Sequence, residues 1–189
     1  MNYMLNASST MESKIWPKDN NIIKQTLLIL SGVLLLAFAS QLSIPLEPIP
    51  LTFQSSTVIL IGMMYGARNG CYVVMAYLLA GLCGLPMFAN FSSGLSIFYG
   101  SSAGYLLGFL PAALVSGYLT QRGWANTFFS SFAVACLGAS IIFFFGITVL
   151  TQFIGFKNAI AFGFTPFIIS EIIKLIAVSC IIPKVWKKQ

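Results

Sequence analysis

Long apolar runs, broken by short polar or turn-forming stretches, set the pattern of this chain of 189 residues. Six runs stand out, at about residues 22–44, 52–66, 70–88, 102–121, 125–152 and 159–182. A helix needs about 20 apolar residues to cross the hydrocarbon core of a bilayer. Five of the runs approach or exceed that length, and the second, at about 15 residues, is short.

Charge arbitrates on the short run. With six spans and the N-terminus inside, Lys14, Lys18, Lys24, Arg68, Arg122, Lys184, Lys187 and Lys188 all fall on the cytoplasmic side, and Lys157 is the cation of an external loop. If 52–66 did not span, Arg122 and the C-terminal lysines would move outside, against the positive-inside bias. The expectation is an all-α polytopic protein of the cell membrane, a six-transmembrane-helix bundle with both termini cytoplasmic. Residues 1–21 read as a cytoplasmic arm without a targeting h-region, and 22–189 as a single six-helix membrane domain.

Composition agrees with this reading. The chain is 58% hydrophobic and 7% charged, with mean hydropathy +0.90, whereas a soluble domain carries about a quarter charged residues. The formal charge of +6 suggests a nucleic-acid partner only until the lysines are located: they flank apolar segments and form no patch. Histidine is absent, and Cys71, Cys83, Cys136 and Cys180 have neither metal-ligand nor redox spacing, so the cysteines read as packing residues.

Two external loops depart from the apolar background. "IPLEPIPLTF" carries Pro45, Pro48 and Pro50, which remove backbone donors and stiffen the path. "GLPMFANFSSGLSIFYGSSAGY" interleaves Gly and Ser with Phe88, Asn90, Phe91, Phe98, Tyr99 and Tyr105. Irregular backbone at membrane depth survives only where protein or a water-filled cavity satisfies it, so this segment reads as the lid of a cavity.

In the last run, Glu171 and Lys174 stand three residues apart and share one helix face. Thr165 is expected to cap this helix and Pro166 to open it, which puts Glu171 about 8 Å below its external end. An intramembrane pair of this kind staples two helices, or lets Lys174 snorkel to an interface, or forms a site that is neutral overall and offers both an acceptor and a donor. The lid above it and the shortage of other polar partners favour the last reading, for a polar but uncharged head group. Phosphate-loop hydrolysis has no motif here, and a membrane protease or transferase lacks its histidine, so no enzyme is expected. A small membrane scaffold without a ligand is the remaining alternative from another class.

Five stretches in order, "IPLEPIPLTFQ", "YGARNG", "YLLAGLCGLPMFANFSSGL", "GSSAGYLLGF" and "TPFIISEIIK", resemble the BioY family, the biotin-specific substrate-binding (S) components of energy-coupling-factor transporters. The resemblance covers the first helix to the last. It implies a bundle that captures biotin externally and delivers it inward, working with a transmembrane coupling subunit and two ATPase subunits among membrane lipids, with no cofactor and no nucleic acid. Transport of another small vitamin, alone or with such partners, is the nearest alternative.

The implied binding residues are Glu171 for a ureido N–H, Lys174 or Asn90 for the ureido carbonyl, Phe88, Phe91, Tyr99 and Tyr105 over the apolar parts, and Ser92, Ser93 and Ser101 for the carboxylate tail. Two positions depart from the family. Its common Asp is here Glu171, one methylene longer, and its Gly-Pro-Thr-Gly-Gly-Tyr reads Gly100-Ser101-Ser102-Ala103-Gly104-Tyr105.

Overall fold

A computed structural model describes residues 22–186 of the chain; the N-terminal arm expected at 1–21 and the lysines at 187 and 188 lie outside them. The elements are α1 (Ile22–Gln41), a two-stranded ribbon of β1 (Ser43–Ile44) and β2 (Leu51–Thr52), α2 (Gln54–Leu82), α3 (Ala103–Gln121), α4 (Phe128–Ile154), α5 (Phe156–Gly163) and α6 (Phe167–Trp186). In the ribbon Ser43 pairs with Thr52 and Ile44 with Leu51, antiparallel.

Helix α2 folds back on itself. Gly66 interrupts it at φ 83 and ψ 173, a region almost reserved for glycine. A straight helix would part Gln54 and Tyr77 by about 35 Å, yet the Gln54 amide bonds the Tyr77 hydroxyl. A Cβ at Gly70 would stand 3.0 Å from the Cα of Gly62, so the two arms touch backbone to backbone beside the turn. The expected spans at 52–66 and 70–88 are therefore a hairpin of arms 54–65 and 67–82, with no linker beyond the glycine.

Among the described residues four helices are long and apolar enough to cross a membrane, and α5 with α6 passes the same test as a pair bent by 48°, the geometry of a broken span or a re-entrant loop. The α2 hairpin supplies two antiparallel arms, and with them the chain forms the helix bundle expected from sequence, although each arm is shorter than the about 20 residues of a full crossing. The ends shift from expectation for local reasons. Helix α1 stops at Gln41, where the chain extends into the ribbon, and α2 stops at Leu82, followed by Gly84 at φ 97, so 83–88 belongs to the lid. The last span begins at Phe156 and breaks at 164–166. There the Thr165 hydroxyl donates to the carbonyl of Ile160 at 3.1 Å, closing α5 instead of capping α6.

Hydrophobic faces point two ways, as a bilayer allows. On α1, Leu36 and Ala39 are buried against the bundle, whereas Leu27, Leu30, Leu34 and Phe38 are exposed along a helical stripe. Helix α3 packs against both α2 and α4, and α6 closes the bundle against α4. Of the cysteines, Cys71 and Cys136 are half-buried packing residues, but Cys83 and Cys180 are exposed, contrary to expectation.

The helix directions sort the molecule into two ends. Lys24, Arg68, Arg122 and Lys184 gather at one end, where the Gln121 side chain accepts the Ala67 N–H at 3.3 Å. The ribbon, the lid, α5 and Lys157 form the other.

Candidate functional site

A cavity of about 290 Å³ occupies the ribbon and lid end. Its walls come from the ribbon loop (Ile49, Pro50, Thr52), the start of α2 (Gln54, Ser55), the lid (Phe88, Ala89, Asn90, Ser92, Ile97) and the start of α3 (Ser102, Tyr105, Leu106, Phe109). Ile142 and Phe143 of α4 and Phe167, Glu171 and Lys174 of α6 complete them. Most of this surface is apolar. The polar groups concentrate where the first turn of α2 meets the second turn of α6.

There Glu171 and Lys174 lie one helical turn apart, 4% and 7% exposed. The Lys174 ammonium contacts Glu171 Oε2 at 2.5 Å, donates to the Thr52 carbonyl at 2.9 Å and reaches Ser55 Oγ at 3.3 Å. These three partners use all three of its N–H donors. Ser55 in turn donates to Glu171 Oε2 at 2.9 Å. Both partners of Oε2 are thus protein groups, while Glu171 Oε1 is buried without any. A buried carboxylate oxygen without a partner is costly, and Oε1 is such an atom in a residue that lines the cavity.

The lid supplies the opposite wall. Phe88, 2% exposed, packs edge-on to Tyr77 with centroids 5.5 Å apart, and also against Phe98 at 5.9 Å. Gly81 makes this seat, because a Cβ there would overlap the Phe88 ring. Asn90 sits at φ 57 in a 3-10 turn, and its Oδ1 accepts the Ser43 hydroxyl at 3.3 Å. That orientation leaves the amide N–H groups as its available donors. The Tyr105 hydroxyl donates to the Gly163 carbonyl at 2.8 Å, so the ring is what this residue offers the cavity.

Of the residues expected from sequence, Glu171, Lys174, Asn90, Phe88, Ser92 and Tyr105 share this one cavity. Phe91 and Tyr99 do not line it and are 69% and 74% exposed. Ser93 is not in the wall, and Ser101 donates instead to the Pro48 carbonyl at 2.9 Å, tying the lid to the proline loop. Sequence reasoning missed Thr52, Gln54, Ser55 and Ser102 as lining residues. Thr52 and Gln54 stand inside the quoted "IPLEPIPLTFQ", and the polar cluster ending it at the head of an apolar run was the available signal.

Comparison with known proteins matches the BioY family model to residues 8–189. The biotin transporter BioY of Thermotoga maritima is 36% identical over 156 residues, covering 82% of this chain and 91% of its own. That of Rhizobium etli is 34% identical over 160 residues, covering 80% and 85%. A crystal structure of the S-component for biotin from an ECF-type ABC transporter superposes with TM-score 0.81 at 23% identity, covering 91% of this chain and 95% of that one. That likeness speaks for the fold. The family match runs over nearly the whole length, and on that ground the chain belongs to the BioY family.

Proposed function

We propose that this chain is a biotin-binding S component, which captures biotin in the cavity beneath the lid and delivers it across the cell membrane. The observation that carries this reading is a buried carboxylate with an unpartnered oxygen, Oε1 of Glu171, on a residue that lines a mostly apolar cavity. Relatives that bear the name biotin transporter supply the identity of the ligand.

Biotin's chemistry matches the available groups. Its ureido ring has two N–H donors and one carbonyl acceptor. One N–H would meet Glu171 Oε1 in a charge-assisted bond. Because the Lys174 donors are all engaged within the protein, the Asn90 amide is the donor left for the ureido carbonyl, and Lys174 serves to hold the carboxylate. Phe88 and Tyr105 would cover the thiophane ring and valeryl chain, with Ser92 and Ser102 near the carboxylate tail. The volume lies just below the roughly 300–1,000 Å³ common for small-molecule sites, which suits a compact vitamin.

Lys24, Arg68, Arg122 and Lys184 at the far end would face the cytoplasm, so the lid would open outward. In this reading the chain works with a transmembrane coupling subunit and two ATPases, surrounded by lipid, and needs no cofactor. Equilibrium binding of labelled biotin to the detergent-solubilised chain tests it. One biotin per chain is expected, displaced by desthiobiotin, which keeps the ureido ring, and not by thiamine or riboflavin. A folded sample without biotin binding would refute the assignment.

A further inference from the structure

The lid is fastened to the bundle by side chains that do not reach the cavity. Tyr77, in the second arm of α2, is fully buried, and its hydroxyl donates to the Met87 carbonyl at 2.8 Å. The Ser40 hydroxyl of α1 lies 2.6 Å from the same carbonyl and 2.7 Å from that of Ala37, and its single proton serves one or the other. The next residue of α1 grips the lid twice: Gln41 Nε2 donates to the Phe88 carbonyl at 3.0 Å, and Gln41 Oε1 accepts the Phe91 N–H at 3.0 Å. Between these contacts Asn90 and Phe91 are held at φ 57 and 55, a left-handed conformation that a phenylalanine adopts only under constraint.

Tyr77 is the hub of this set. Its ring seats the Phe88 ring, which is a wall of the cavity, and its hydroxyl holds the backbone of the preceding residue. The same hydroxyl receives the Gln54 amide at the head of α2, and the next residue, Ser55, donates to Glu171. One buried tyrosine therefore joins the lid to the turn of helix that supports the carboxylate.

We propose that Tyr77 is a positioning residue that latches the lid, keeping Phe88 and Asn90 against the ligand and setting how fast the ligand leaves. Ligand exit requires the Tyr77–Met87 bond to open, whereas the bond makes no contact with the ligand itself. The ligand part of this inference rests on the biotin reading above; the latch itself does not.

The test compares wild type with Tyr77→Phe, which keeps the ring and removes the hydroxyl, and with Ser131→Ala as a control. Ser131 is also fully buried and donates to a backbone carbonyl, that of Ala125 at 2.9 Å, but at the opposite end of the bundle. Hydrogen–deuterium exchange on the ligand-free protein and the dissociation rate of labelled biotin are measured for all three. Loss of one such bond is expected to speed biotin dissociation about 3- to 10-fold in Tyr77→Phe, with the association rate changed less than about twofold. Exchange is expected to rise in the 83–102 peptide and not in α4.

Ser131→Ala is expected to lower thermal stability without moving either lid readout. Wild-type exchange over 83–102 in Tyr77→Phe would overturn the latch, and so would an unchanged dissociation rate. If wild type bound no biotin while the variant still loosened the lid, the ligand assignment would fall and the latch would stand. If exchange rose equally in α4 and in the lid, Tyr77 would be a packing residue and the proposal would fail.

Discussion

Glu171→Gln is the substitution that separates the carboxylate's chemistry from its shape. In the wild type, Oε2 takes Lys174 at 2.5 Å and Ser55 at 2.9 Å, and Oε1 is buried without a hydrogen-bond partner. A glutamine of the same size must keep its oxygen on the Lys174 and Ser55 side, because both of those groups donate. Its NH₂ then occupies the place of Oε1. An incoming ureido N–H meets a donor instead of an anion, so the variant loses a charge-assisted bond and leaves two donors facing each other. A hydrogen bond to a charged group contributes about 1.5–3 kcal/mol, and the mismatch adds to it, so about 2–3 kcal/mol of binding should be lost. That corresponds to a rise in Kd of about 30- to 150-fold. Equilibrium binding of labelled biotin reads it directly, with a thermal melt in parallel to confirm folding. A Glu171→Gln protein that melts like wild type and binds within about threefold of it would refute the argument that Oε1 receives the ligand.

Lys174→Ala should abolish measurable binding and lower the melting temperature, since it strips the buried Glu171 carboxylate of its counter-charge at a cost of about 3–5 kcal/mol; binding assay and melt together check this. Gly66→Ala should destabilise the solubilised protein by about 1–3 kcal/mol, because a Cβ is strained at φ 83 and ψ 173 and the α2 hairpin depends on that turn; a wild-type melt would count against the hairpin. Phe91→Ala and Tyr99→Ala should each leave biotin affinity within about twofold of wild type, as both side chains are largely exposed and outside the cavity wall, whereas Phe88→Ala should weaken it at least tenfold.

The charged pair was legible in the sequence because ionised groups inside an apolar run are costly to bury and stand out for that reason. The reversal of the chain near Arg68 was legible through charge, since Arg68 and Arg122 fit one side only if the short second run turns the chain back. What the pattern could not show was how tightly that run turns. "YGARNG" looks like a loop, with two glycines and an arginine, but in the structure only Gly66 leaves the helix and Arg68 rides exposed on the following arm. The aromatics of the lid were identified as a group. Which of them face inward depends on the direction of short 3-10 turns, where one left-handed residue redirects the next side chain; Phe88 goes in and Phe91 out on that account. Ser55 was missed because a serine at a helix start ordinarily caps its own helix, and here its hydroxyl crosses to Glu171.

The most direct test of the account is an experimental structure of this chain crystallised with biotin. The ureido ring is expected between α2 and α6, with one ring nitrogen about 2.7–3.0 Å from Glu171 Oε1 and the ring carbonyl within hydrogen-bonding distance of the Asn90 amide. Biotin bound elsewhere, or bound in this cavity with Glu171 Oε1 still unpartnered, would contradict it.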